Sequence, residues 1–281
     1  MVLLLAIVVA AALLGGRALF GKLNSYGEQT VSGKTEEPDT ALHIEETTTP
    51  IAPNANTLDA DGFYEEDGFL HYEKDGVKSR LGIDVSAHQG LIDWERVHAD
   101  GIEFAILRIG FRGYSEGNIQ KDAYFEQNYE KARAAGVELG VYFFSQAISV
   151  EEAVEEAEYV LRELDGRELE YPIFFDWESI EDEARSDVMN PIGLTGCAFA
   201  FCTQIENSGR RAGVYFNQQV GYLELNLRSL EDHTFWLAEY ASAPSFAYRF
   251  ELWQYSNEGW VEGISGRVDM DLWFDGLKKE E

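Results

Sequence analysis

The chain has 281 residues, 45% hydrophobic and 13% aromatic, enough for one large domain or two small ones with a sizeable core. That composition excludes global disorder. With 22 Lys and Arg against 51 Asp and Glu, the formal net charge is −29, which opposes any sequence-independent attachment to nucleic acid, because phosphate attraction needs a basic surface.

Residues 1–20 are a different material from the rest. Met1 to Leu14 is uninterrupted apolar, followed by Gly15-Gly16-Arg17 and Ala18-Leu19-Phe20. Such a run supplies the apolar core of a secretory signal, which needs ~7–15 residues. It also approaches the ~20 residues of a spanning helix if Arg17 snorkels at one end. A basic start and a clear Ala-x-Ala boundary are both missing. Membrane anchor and cleaved signal therefore both stand, and each puts the remaining chain outside the cytoplasm, held at the outer face of a membrane or secreted.

Residues 21–60 carry Glu36-Glu37-Pro38, Thr47-Thr48-Thr49-Pro50 and Pro53 with little apolar periodicity. They read as a disordered acidic Thr/Pro linker whose forty residues reach roughly 35 Å on average. In residues 61–80, Phe63-Tyr64 and Phe69-Leu70-His71-Tyr72 are punctuated by Asp61-Gly62, Asp67-Gly68 and Asp75-Gly76. That pattern predicts a small β-hairpin, packed on the neighbouring domain or, alternatively, binding a sugar.

Residues 81–281 form the main domain, and most of the acidity lies there. Short runs rich in β-branched and aromatic residues predict strands at Leu81–Ser86, Phe104–Gly110, Glu138–Ser145, Tyr171–Glu178, Ala212–Asn217, Phe235–Tyr240, Phe250–Ser256 and Arg267–Trp273. Helices are predicted at Trp94–Asp100, Gln120–Ala135, Val150–Leu164 and about Gly193–Asn207, with stops at Ala134-Ala135-Gly136 and Asn207-Ser208-Gly209. The two cysteines, Cys197 and Cys202, sit five apart on the last helix and point to different faces, so no disulfide framework is expected. Continuous apolar strands alternating with helices predict an α/β fold with a parallel sheet covered on both faces. Eight of them predict an irregular, TIM-like β/α barrel with reduced helices in its second half. In such barrels the chemistry sits at the C-terminal ends of the strands.

Those ends are rich in carboxylates. In Ile173-Phe174-Phe175-Asp176-Trp177-Glu178 the two acids are two apart on a strand, so Asp176 and Glu178 share one face and Trp177 takes the other. The first strand offers Asp84 and the last offers Asp269 of Val268-Asp269-Met270-Asp271. Tyr142, Phe144, Tyr215, Trp236, Tyr240, Trp253 and Gln254 join them at other strand ends as candidate substrate-binding groups. A single such Asp is ordinarily a loop cap or a solvated charge. Four on three strands, rimmed by aromatics, suit glycosidic cleavage: one carboxyl donates a proton, others stabilise charge at the anomeric carbon, and rings stack on sugars. Metal binding by the same acids lacks any His in ligand spacing.

From Leu81 to Phe274 the motifs Gly82-Ile83-Asp84-Val85-Ser86, Phe175-Asp176-Trp177-Glu178 and Leu252-Trp253-Gln254-Tyr255, with others between and after them, follow one another in an order that resembles the glycoside hydrolase family 25 muramidases, the Chalaropsis-type lysozymes. The resemblance rests on Gly82-Ile83-Asp84-Val85-Ser86-Ala87-His88-Gln89-Gly90, Phe104-Ala105-Ile106-Leu107-Arg108, Gly140-Val141-Tyr142-Phe143-Phe144-Ser145, Phe175-Asp176-Trp177-Glu178, Phe235-Trp236-Leu237-Ala238-Glu239-Tyr240, Leu252-Trp253-Gln254-Tyr255 and Gly263-Ile264-Ser265-Gly266-Arg267-Val268-Asp269, in family order. It implies an irregular β/α barrel that cleaves the β-1,4 bond between N-acetylmuramic acid and N-acetylglucosamine, with retention and substrate assistance. By the same resemblance Glu178 is the proton donor, and Asp176, Asp84 and Asp269 are its carboxylate partners. Two departures stand out: Phe143 where many members have His, and Asp271 where the last motif commonly ends in Asn. No cofactor and no metal is expected. The expected partners are peptidoglycan glycan strands and, through residues 1–20, a bacterial membrane, with the chain acting as a monomer. The rival class is a non-catalytic glycan-binding module on a membrane tether, which loss of Glu178 or Asp176 would favour. An amidase or deacetylase would want a metal-ligand set that the sequence lacks.

Overall fold

Apolar strands and the helices between them close into a barrel in the computed structural model, which describes residues 54–180 and 183–277. In chain order the strands are β1 (Phe63–Glu66), β2 (Phe69–Lys74), β3 (Val77–Val85), β4 (Phe104–Arg112), β5 (Ile119–Lys121), β6 (Glu138–Ser145), β7 (Ile173–Trp177), β8 (Ala212–Asn217), β9 (Thr234–Ala238), β10 (Leu252–Gly259) and β11 (Val268–Asp275). The helices are α1 (Trp94–Ala99), α2 (Phe125–Ala135), α3 (Val150–Leu164), α4 (Pro191–Asn207) and α5 (Gln218–Leu223). The barrel wall runs β3-β4-β6-β7-β8-β9-β10-β11 and closes where β11 pairs with β3. The segment expected to anchor or export the chain lies outside the described residues, as do residues 21–53 of the expected linker. Its last residues, 54–60, are not disordered but held to the domain, with Ala55 bridged to Tyr248 and the Arg249 amide donating to the Asn54 carbonyl at 2.8 Å.

Seven wall strands are parallel and the eighth is not. β11 runs antiparallel to both β10 and β3, against the expectation of a parallel sheet throughout. The cause is loop length: only residues 260–267 separate β10 from β11, and a parallel return needs a crossover of about a dozen residues or more. The strand folds straight back.

The N-terminal segment also differs from a free-standing hairpin. Asp67-Gly68 and Asp75-Gly76 both adopt positive φ, forming two tight turns. The first joins β1 to β2, and the second joins β2 to β3, so the meander continues into the barrel sheet. Phe63 packs edge-on against Tyr72 (4.7 Å), Trp253 (5.3 Å) and Phe274 (6.2 Å). The aromatics of residues 61–80 thus plug the outer wall.

Helix ends follow local chemistry. Ser149 caps α3 by accepting from the Glu152 amide (3.3 Å), and Asn190 caps α4 ahead of Pro191 at its first turn. Gly136, left-handed at φ 89°, stops α2 where the sequence placed the stop. The start of α2 is later than predicted, because Ile119–Lys121 pairs with β4 and Asp122 turns the chain by accepting from the Tyr124 amide (2.9 Å). The short helix α5 was not anticipated. Cys197 and Cys202 are both buried and unbridged on α4, and the Cys202 thiol faces the Gly213 carbonyl at 3.5 Å.

Alternation along the strands splits the core in two. Phe104, Ile106, Tyr142, Tyr171, Phe174, Tyr215, Trp236 and Leu252 fill the barrel interior. Their strand neighbours Phe143, Phe175, Phe216 and Trp253 face outward into the larger core beneath the helices. Gly82 and Gly213 make room for the inner layer, since a Cβ at either would overlap the ring of Phe104 or Phe174. The inner packing fills the lower barrel and leaves its upper end to polar groups.

Candidate active site

A cavity of about 160 Å3 opens at the C-terminal ends of the parallel strands. Asp84 enters from the end of β3, Asp176 from β7 and Glu178 from the residue after it, and Asp269 from the start of β11. The antiparallel return explains the last position, because it sets Asp269 directly opposite Asp84 across the β3–β11 ladder. Tyr142, Tyr215, Trp236, Tyr240 and Gln254 complete the lining. Nine of the eleven residues singled out in the sequence therefore meet in one chamber.

The other two do not line it. Phe144 is half-buried against the inner aromatic layer. Trp253 corrects the reading of it as a sugar platform: it is 0% exposed and faces the outer core. Its indole Nε1 donates to the Glu239 carbonyl at 2.8 Å, and its ring meets Phe63. Parity explains the error, since Gln254 points inward and its neighbour on the strand must point out. Trp236 does line the chamber but as its floor, 1% exposed and wedged among Phe174, Tyr215 and Tyr142 at ring distances of 5.1, 4.8 and 6.0 Å. Tyr240, at 55%, is the exposed aromatic of the lining.

Hydrogen bonds tie the walls together. Gln254 Nε2 donates to Asp84 Oδ2 (2.6 Å), while its Oε1 accepts from the hydroxyls of Tyr215 (3.1 Å) and Tyr240 (3.2 Å). Below them lies a fifth carboxyl that the sequence reading left unassigned. Asp271 is fully buried and accepts from Trp236 Nε1 at 2.8 Å, and its other oxygen has no hydrogen-bond partner among the described residues. The Asp271 charge adds to burial in disfavouring the ionisation of Asp84. The spacing of two from Asp269 was the available signal for it.

Burial is the main influence on every acid here. It raises Asp176, with the Glu178 charge adding and Arg108 opposing. Glu178 is raised by burial and then by the charge of Asp269. Asp84 is raised by burial, Asp271 and Asp269, against the Gln254 hydrogen bond. Asp269 itself is pushed up to about 6 by burial. Arg108 is held by Asp122 at 2.8 Å. One oxygen of Asp176, Oδ1, is buried with no hydrogen-bond partner among the described residues. The site thus keeps protonated carboxyls at a pH where exposed ones have lost their protons. Among the described residues no group of His, Cys, Asp and Glu converges as a metal ion would require.

These shifts carry a sign that can be tested. A carboxyl whose folded pKa lies above its ordinary 3.8 lowers stability as pH rises from there to its folded value. For Asp269 that window ends near 6. Asp269→Asn is therefore expected to melt higher than wild type at about pH 8, with the difference vanishing by about pH 4. The same change removes a negative charge from beside Glu178 and should move the alkaline limb of the pH–rate profile to lower pH. Thermal melts and rate profiles across that range check both, and unshifted curves would contradict the electrostatic coupling.

A β/α barrel that gathers acids and aromatics at the carboxyl ends of its strands has the build of a glycoside hydrolase. The chain belongs to the glycosyl hydrolases family 25, whose model matches residues 83–264. It is 27% identical over 198 residues to the autolytic lysozyme of Clostridium acetobutylicum, covering 70% of this chain and 56% of that one. A bacterial lysozyme structure from Streptomyces coelicolor is similar at 26% identity and TM-score 0.58, over 69% of this chain and 91% of that one. The modular autolysin LytC from Streptococcus pneumoniae, solved with a synthetic peptidoglycan ligand, shares the fold at 22% identity and TM-score 0.63, over 75% of this chain and 52% of that one. The chain spans about half the length of the autolysins it matches.

Proposed function

We propose that the protein is a peptidoglycan hydrolase, an N-acetylmuramidase that cleaves the β-1,4 bond between N-acetylmuramic acid and N-acetylglucosamine. The observation that carries the reading is the pairing of Asp176 and Glu178 on one face at the end of β7, facing Asp84 and Asp269 across a single chamber. Glu178 gives its proton to the leaving glycosidic oxygen, and its raised pKa keeps that proton available. The substrate's own N-acetyl oxygen attacks the anomeric carbon with retention, as in substrate-assisted exceptions to the two-carboxylate rule. Asp176, which lines the chamber beside Glu178, orients the acetamide. Asp84 and Asp269 stabilise the positive charge that develops on the sugar. Tyr240 offers its exposed face at the rim. The similarity to an autolytic lysozyme, and to an autolysin holding a peptidoglycan ligand, supports the choice of polymer.

On this reading the domain acts outside the cytoplasm on cell-wall glycan, as a monomer, with residues 1–20 as membrane anchor or cleaved signal. The test is digestion of purified peptidoglycan by the full chain. New reducing ends on N-acetylmuramic acid, identified by mass spectrometry of the products, are expected. Binding to the polymer with no new ends would leave the glycan-binding module as the better description. Reducing ends on N-acetylglucosamine would replace the muramidase with a glucosaminidase.

A further inference from the structure

Glu178 sits at the start of the segment that runs from β7 to α4, and among the described residues no hydrogen bond is made to its carboxyl. What orients it is the main chain. That main chain is held by a side chain outside the chamber. Gln146, the residue after β6, is 0% exposed, and its Nε2 donates to the Glu178 carbonyl at 2.9 Å. Its Oε1 accepts from the Ser186 hydroxyl, and its own carbonyl accepts from Arg185 Nη1 at 2.9 Å. Ser186 is also buried, and Arg185 is gripped through both terminal nitrogens by Glu152 of α3 at 2.7 and 2.6 Å. Gln146 thereby ties the two ends of the Glu178–Ser186 segment to each other and to the body of the barrel.

We propose that Gln146 is the positioning residue of the proton donor: locked by Ser186 and Arg185, it fixes the Glu178 main chain so that the carboxyl enters the chamber. The proposal rests on Glu178 being the acid, as argued above. A buried amide suits the task because it donates and accepts at once with no charge of its own. It spans from the Ser186 hydroxyl to the Glu178 carbonyl, and no aliphatic replacement does both. Loss of the clamp lets the segment shift, and small misplacements of a catalytic group cost rate far more than they cost affinity. A carboxyl that leaves its buried place also returns toward an ordinary pKa.

The experiment compares Gln146→Met and Ser186→Ala with wild type and with Glu178→Gln, on soluble glycan fragments. The expected result for Gln146→Met is a kcat lower by about 10–100-fold with KM within about twofold, and an alkaline limb moved to lower pH. Ser186→Ala, which leaves the Glu178 contact but frees the amide, should show the same changes in smaller measure. A purely structural role would lower the melting temperature and leave kcat and the limb of the folded fraction in place. A folded Gln146→Met with wild-type kcat and limb overturns the proposal. If that variant does not fold, wild-type kcat and limb in Ser186→Ala overturn it. The Glu178→Gln arm separates the two claims, because wild-type turnover there sinks the acid assignment itself, whereas an inactive Glu178→Gln beside an unaffected Gln146→Met sinks the clamp alone.

Discussion

Replacing Glu178 with Gln is expected to lower glycosidic cleavage by at least about 10²–10⁴-fold, the usual worth of general acid catalysis. The amide nearly matches the carboxyl in shape but has no proton to give to a leaving oxygen. Folding should survive the change. Glu178 is buried enough to be raised by desolvation, and a neutral amide avoids that cost and the repulsion from Asp269. Peptidoglycan affinity should survive too, because Tyr240 and the Gln254 network are untouched. Release of reducing ends, measured beside a melting curve, checks the prediction. A well-folded Glu178→Gln that still cut at near wild-type rate would send the search to Asp269 or Asp84, carboxyls that are likewise raised and line the chamber.

The positions of these acids were legible because strand periodicity is local. Two residues apart on a strand means one face, and Asp176 and Glu178 do line one chamber while Trp177 packs on the outer core. The same rule, applied to Trp253 and Gln254, forbids both from facing inward, and the sequence reading assigned both to the substrate. The direction of β11 was not read from the sequence, which predicted a parallel sheet; it follows from the eight residues between β10 and β11, too few for a crossover helix. Other features were hidden for a physical reason. Gln146 contacts Glu178 across 32 residues, and Gln254 contacts Asp84 across 170. Nothing near Gln146 in the chain marks it as a clamp, since its partners are set by how β6 and β7 lie side by side. The strand β5 escaped notice because three residues carry too little pattern to compete with the helical periodicity that follows. Periodicity fixes which way a side chain points, and the closing of the barrel decides what it meets.

Trp253→Ala is expected to destabilise the fold by about 3–5 kcal/mol, the range for truncating a large buried aromatic. The indole is 0% exposed, meets Phe63 edge-on at 5.3 Å and Tyr255 at 5.8 Å, and donates to the Glu239 carbonyl. Its removal opens a cavity exactly where the N-terminal meander is pinned to the barrel wall. The loss should appear as a lower urea midpoint with an unchanged slope, provided that the meander and barrel still unfold together. Glycan binding by the folded fraction should not change, because the ring faces away from the chamber. Tyr240→Ala should behave in the opposite way. That ring is 55% exposed at the rim, so its loss leaves the core intact and is expected to weaken glycan binding by about 0.5–1.5 kcal/mol. Urea melts and binding isotherms on both variants give the comparison. A stable Trp253→Ala that lost its hold on peptidoglycan would restore that residue as a sugar platform and would require β10 to present its other face to the substrate.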